Sequence, residues 1–259
     1  MGVFLFDEMI FGPVRSRRLG VSLGLNLLPT HRKVCSFNCI YCECGWTEGL
    51  LLESNQLPAP ATFSDQLSKK LQELQGTDLQ PDSLTFAGNG EPTIHPHFAE
   101  IIKETLRLRD LFAPDASVSV LSNGSMLHKP EIVEALMLAD QCLLKLDGGT
   151  EATIRDINHP SKAFKLETYI GQLEQFNGKL IIQSLFLRGE HNRRNVDNTT
   201  EAEVAAWIEL LKRIKPQKVM LYAIERATPE EKLVKISRSE LEQIAMRVQE
   251  NGIAAEVFA

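Results

Sequence analysis

Four of the chain's five cysteines fall within ten residues, at Cys35, Cys39, Cys42 and Cys44. Buried structural cysteines scatter through a core, so this crowding points to chemistry rather than packing. Clustered thiolates favour zinc or iron–sulfur clusters. A closed zinc site wants two separated Cys/His pairs; no second pair follows here, and the nearest histidine, His31, lies upstream. A ferredoxin run spaces its cysteines two, two and three residues apart with a proline after the last. The stretch Cys35-Ser36-Phe37-Asn38-Cys39-Ile40-Tyr41-Cys42 has neither feature. Three thiolates can hold three irons of a four-iron cluster and leave the fourth open to a ligand, as a catalytic metal keeps an open position.

Other loops carry polar groups of the right kind. In Gly88-Asn89-Gly90-Glu91-Pro92, two glycines admit close backbone approach and Glu91 offers an acceptor to an ammonium; a plain glycine turn reads equally well. Ser122-Asn123-Gly124 is a common turn with two polar side chains. Gln183 interrupts an apolar run, as an inward amide satisfied by its neighbours or as a ligand contact. Lys145 and Asp147 alternate onto one strand face, either as a stabilising ion pair or as groups facing a substrate.

The elements that must position these loops recur in a rhythm. Apolar strand patterns are expected near 21–27, 84–87, 118–121, 142–146, 180–186 and 218–222. Helices are expected over 62–75, with Thr62 or Ser64 as N-cap, and over 96–108, 130–138, 151–158, 166–176, 201–214 and 239–250. A last apolar segment spans 253–258, and 47–61 reads as an irregular linker. Six strand–loop–helix repeats imply parallel βαβ units with right-handed crossovers; the pattern alone allows a doubly wound sheet or a barrel.

With 259 residues, 43% of them apolar, the chain can bury one large α/β core. Residues 1–20 read as a lead-in to a single domain over 21–259. No apolar run reaches membrane-spanning length, and Met1–Glu8 lacks the basic flank of a signal peptide. A cytoplasmic location is expected, where clustered cysteines bind metal more often than they pair. The net charge of −6 argues against broad nucleic-acid affinity and leaves room for a local basic patch.

The spacing Cys-x3-Cys-x-aromatic-Cys, with Tyr41 as the aromatic, resembles the signature of the radical S-adenosylmethionine (SAM) superfamily. The resemblance implies a partial (β/α)6 TIM-like barrel with its chemistry at the C-terminal ends of the strands. It implies that Cys35, Cys39 and Cys42 hold a [4Fe-4S] cluster whose open iron chelates SAM. Reductive cleavage then gives methionine and a 5′-deoxyadenosyl radical that removes hydrogen from a substrate. Cys44 is a spare thiol on this reading. The Gly88–Glu91 loop is similar to the superfamily's Gly-Gly-Glu loop, with Asn89 for the second glycine. That places Tyr41, Gly88, Asn89, Gly90, Glu91, Ser122, Asn123 and Gln183 at the cofactor, and leaves Lys145 and Asp147 as catalytic candidates.

Gly12-Pro13-Val14, Ser16-Arg17-Arg18-Leu19-Gly20, Lys145-Leu146-Asp147 and Ile224-Glu225-Arg226-Ala227 narrow the resemblance to the wyosine-synthesis branch, which contains the tRNA 4-demethylwyosine synthase. That synthase's second cluster uses cysteines upstream of the motif, and none precedes Cys35 here. The branch implies a tRNA base as substrate and a reductant such as flavodoxin or ferredoxin. A basic rim of His31-Arg32-Lys33, Arg188–Arg194 and Arg226 would meet the phosphates. Two other classes stay open. An activase placing a radical on a protein partner needs no such rim, and a non-enzymatic iron–sulfur or zinc protein needs no SAM and no Glu91. A small-molecule substrate is compatible with the first class of chemistry.

Overall fold

The computed structural model describes residues 4–49 and 57–259. The first residues of the Met1–Glu8 stretch and the middle of the 47–61 linker lie outside the described residues. The chain divides into two compact units, one of Leu5–Cys35 with Thr47–Cys142, the other of residues up to Phe4, Ser36–Trp46 and Leu143–Ala259.

The first unit carries β1 (Ile10–Ser16), β2 (Gly20–Leu25), α1 (Pro60–Leu74), β3 (Ser83–Phe86), α2 (Phe98–Phe112), β4 (Ser117–Ser122) and α3 (Pro130–Leu138). Strands β2, β3 and β4 are parallel neighbours, and β1 pairs antiparallel with β2. The lead-in is thus in part a strand, whose pattern is broken by Gly12-Pro13. All four residues of β3 are buried, as a strand covered on both faces requires. Strand β2 was expected to be half-buried, yet Ser22 to Leu25 are all buried. Its buried hydroxyl is satisfied from within, Ser22 Oγ lying 2.7 Å from Thr85 Oγ1 of β3, and β3 and β4 are joined likewise by Ser83 Oγ 2.9 Å from Ser119 Oγ. Gly24 leaves room for the Phe11 ring, which a Cβ would meet at 2.0 Å. Phe63, Phe86 and Phe98, all fully buried, seat helices on this sheet, with Phe86 and Phe98 edge-to-face at 5.6 Å. Helix α1 starts earlier than its expected caps. Pro60 occupies its first turn, where a fixed φ is preorganised, and Ser64 instead donates to Glu104 of α2 at 2.6 Å.

The second unit carries β5 (Gln141–Lys145) from Leu143 on, α4 (Glu151–Asn158), α5 (Leu166–Glu174), β6 (Ile181–Leu185), β7 (Leu187–His191), β8 (Arg194–Asp197), α6 (Glu201–Ile214), β9 (Lys218–Tyr222), β10 (Leu233–Lys235), α7 (Arg238–Glu250) and β11 (Ala255–Phe258). Strands β5, β6, β9 and β11 are parallel in that order. The Trp207 indole of α6 packs edge-to-face on Phe186 and donates to the Leu146 carbonyl at 3.0 Å. Helix α7 begins on a Ser237/Glu240 capping box.

The charged segment 188–194 is not a loop. It forms a hairpin of β7 and β8, extended by β10 into a three-stranded antiparallel sheet. Asn192 and Arg193 take φ of 50° and 63° at its two-residue turn. Such turns usually advertise themselves with Asn-Gly or Asp-Gly, so Asn-Arg concealed this one. Among the described residues no helix is long and apolar enough to cross a membrane.

Candidate active site

In the first unit the site is built at the ends of β3 and β4. The loop after β3 runs beside the residue preceding the first cysteine: the Val34 amide donates to the Asn89 carbonyl at 2.8 Å, and the Glu91 amide to the Val34 carbonyl at 3.0 Å. Gly88 and Gly90 make this contact possible. A Cβ on Gly90 would lie 1.7 Å from the Val34 oxygen, and one on Gly88 2.5 Å from Asn26 Oδ1. Asn89 is committed to the fold: its amide accepts from Phe6 N at 2.9 Å and donates to the Phe6 and Pro29 carbonyls.

Glu91 is 2% exposed. Its Oε1 accepts from Thr93 N, Thr93 Oγ1 and Ser122 Oγ, the last at 2.8 Å, while Oε2 accepts from Asn123 N at 2.6 Å. Burial pushes the carboxyl above its ordinary range, against the lowering effect of these donors, Thr93 foremost. Asn123 also donates its side-chain amide to Cys35 Sγ at 3.4 Å and accepts from Ser125 N. Cys142 is buried, and that burial, with the Glu91 charge, pushes its thiol far up; it is a core cysteine.

In the second unit the cysteine turn leans on the end of α4. The Asn38 and Ile40 amides donate at 3.0 Å to the Asn158 and Ile157 carbonyls, which a helix end otherwise leaves open. Asn158, which the sequence did not single out, is 1% exposed. Its amide donates to Asp147 Oδ2 at 2.6 Å and to Cys39 Sγ at 3.3 Å, with Tyr41 Oη at 3.4 Å. Asp147 further accepts from Tyr41 Oη and, through Oδ1, from Leu185 N at 2.8 Å.

Lys145 Nζ donates to Tyr41 Oη at 2.7 Å and Tyr222 Oη at 3.3 Å, and stands 3.5 Å from Asp147 Oδ2. Burial alone would lower the Lys145 ammonium, but Asp147, then Tyr222 and Cys39, hold it well above its ordinary range. The same burial, with Asp147, pushes Tyr41 up. Burial also raises the Cys39 thiol, opposed by Lys145 and the Asn158 amide. Gln183 is buried on β6, its Nε2 3.5 Å from the Leu143 carbonyl.

The basic rim is thinner than the sequence suggested. Lys33 is 4% exposed. Arg226 pairs with Glu43 at 2.7 Å, and Arg188 with Glu240 at 2.7 Å. Arg193 and Arg194 remain exposed at the hairpin turn.

Among the described residues no three cysteine, histidine or carboxylate side chains are already gathered as a metal cage. The donor set nonetheless suits an iron–sulfur cluster. Cys35, Cys39 and Cys42 are unbridged thiols, and two of their sulfurs accept amide N–H bonds, the contact that cluster thiolates use.

Residues 30–166 match the model of the radical SAM superfamily. The chain is 31% identical over 245 residues to a protein named GTPase Obg from Brachyspira hyodysenteriae, covering 92% of this chain but 33% of that one. It is 30% identical to the UPF0026 protein MJ1312 of Methanocaldococcus jannaschii, covering 89% of this chain and 68% of the relative. Among solved structures, TYW1 with a lysine-pyruvate adduct bound superposes with a TM-score of 0.63 at 20% identity, over 89% of this chain and 73% of that one. SuiB of Streptococcus suis bound to S-adenosylmethionine gives 0.64 at 14%, over 91% and 50%. These likenesses show the fold, which is the partial (β/α)6 barrel. The chain belongs to the radical SAM superfamily, among its UPF0026 relatives, and is an enzyme whose cofactors are a [4Fe-4S] cluster and SAM.

Proposed function

We propose that Cys35, Cys39 and Cys42 hold the cluster, that Glu91, Ser122 and Asn123 bind SAM, and that the enzyme removes a hydrogen atom from a base of structured RNA in the cytoplasm. When bound, the cluster supplies the electron that splits SAM to methionine and the hydrogen-abstracting 5′-deoxyadenosyl radical. One observation carries the reading: Asn123 touches the Glu91 carboxylate through its backbone N–H and the Cys35 sulfur through its side chain. A single residue thus ties a carboxylate acceptor to the first cysteine.

Glu91 receives three hydrogen bonds at Oε1 and one at Oε2, so its free lone pair for an ammonium lies at Oε2. Lys145 and Asp147 act as positioning residues. Together with Asn158 they hold Tyr41, and Lys145 and the Asn158 amide favour the Cys39 thiolate against burial. The RNA substrate is supported by Arg193 and Arg194 at the hairpin turn; with a net charge of −6, attraction to phosphate is local. A small electron carrier of the flavodoxin or ferredoxin kind supplies the electron.

Anaerobic reconstitution followed by reduction with SAM present tests the chemistry. The wild type should hold about four irons and release 5′-deoxyadenosine. Replacing Cys35, Cys39 or Cys42 should abolish both, and Cys44→Ala neither. Stoichiometric zinc in anaerobically purified protein would sink the assignment.

A further inference from the structure

Beside the cysteine turn, within the second unit, lies a cleft of about 300 Å³ lined by Asp156, His159, His191, Asn192, Arg194 and Val196. None of its polar residues was used above to hold the cofactors. The His159 and His191 rings meet edge-to-face at 4.9 Å, and Trp46 stands 5.9 Å from His191 and 6.5 Å from His159. Both nitrogens of His191 are engaged, Nδ1 with Glu230 Oε2 at 2.7 Å and Nε2 with Asn192 Nδ2 at 2.8 Å. His159 Nε2 lies 3.1 Å from the Asp156 carbonyl. These contacts fix the rings in place at the cleft. Trp46, 39% exposed, is a large aromatic surface left in water.

The cleft is also in the right place. His159 follows Asn158, whose amide donates to Cys39 Sγ, and Trp46 follows Cys42 by four residues. A substrate losing hydrogen to a radical made at the cysteine turn must sit close to it.

We infer that this cleft seats a nucleobase of the RNA substrate, stacked on the Trp46 ring and packed against the mutually perpendicular His159 and His191 rings, with its phosphate on Arg194. The inference rests on the RNA reading above and names where that RNA is held. Unpaired bases are recognised by stacking on aromatic and imidazole faces, with polar groups reading their edges; Asp156 and Asn192 are placed for the edge. Arginine supplies the planar fork that phosphate oxygens accept.

The test uses reconstituted holoenzyme under anaerobic conditions, with bulk tRNA and a single-stranded oligonucleotide carrying 4-thiouridine. Filter binding should show Trp46→Ala and His159→Ala weakened roughly fivefold to a hundredfold, the range for losing one stacking partner. Arg194→Glu, on an exposed turn, should weaken binding and reduce the salt slope by about one released ion or more. Irradiation should attach the oligonucleotide to peptides bearing Trp46, His159 or His191. Iron content and circular dichroism identify folded variants, and Arg194→Glu keeps the test decisive if Trp46→Ala loses its cluster. Wild-type RNA affinity in folded variants, or cross-links elsewhere, would overturn this site and leave the RNA reading standing. Failure of the wild type to retain either RNA, or its retention of a peptide instead, would overturn both.

Discussion

Gly90 lies against Val34 so closely that a Cβ on the glycine would stand 1.7 Å from the Val34 carbonyl oxygen. The contact fixes the loop bearing Glu91 to the backbone just before Cys35, through one hydrogen bond on each side. The second glycine of the loop is required for a physical reason, since two backbones approach closely there at φ +141°, where side chains rarely go.

Gly90→Ala should therefore push the two backbones apart. A destabilisation of about 2–3 kcal/mol is expected, read from the denaturant midpoint. Iron retention should fall with it, because Cys35 follows Val34 directly. Wild-type stability would mean the loop moves aside at no cost.

With Glu91 as the proposed acceptor for the SAM ammonium, SAM binding should depend on pH. Burial raises its pKa, and only the carboxylate accepts from an ammonium, so SAM affinity should decline as pH falls through that raised value. For folding the sign is reversed: a raised carboxyl favours the protonated folded state, and its contribution is present at low pH and lost as pH rises. Calorimetric titration of SAM across the acid range checks the first statement. Glu91→Ala should bind SAM about tenfold more weakly or worse, without loss of iron and without the pH trend. Affinity equal to the wild type would move the SAM site elsewhere.

Asn158→Leu removes the N–H donor on Cys39 and leaves Asp147 one hydrogen bond short. Loss of a bond to a charged group costs about 1.5–3 kcal/mol, visible in denaturant unfolding. Hydrogen bonds to cluster sulfurs help set the reduction potential, and withdrawing one concentrates charge on sulfur. The potential should move to more negative values in a titration followed by electron paramagnetic resonance. An unchanged potential would show that the amide serves Asp147 alone.

The sequence determined the local chemistry of this protein. Three cysteines within eight residues, two glycines before Glu91, and an Asn-Gly turn after a strand are contiguous patterns, readable because spacing along a chain restricts what a short loop can do. The alternation of apolar runs likewise set the strand and helix order, since each element's period follows from its own backbone geometry. Tertiary structure decided the rest. Only packing placed Asn158, at the end of α4, on Cys39 and Asp147. Only packing drew Lys145 into a buried cage of Tyr41, Tyr222 and Asp147, which keeps it charged. The hairpin after β6 turned a run of charges into a wall of the His159–His191 cleft. The pairs its Arg188 and His191 make with Glu240 and Glu230 are invisible to any count of basic residues. The physical reason is common to all three. Burial and the partners found across long sequence separations set a side chain's charge and its free hydrogen bonds, and neither is written in its neighbours along the chain.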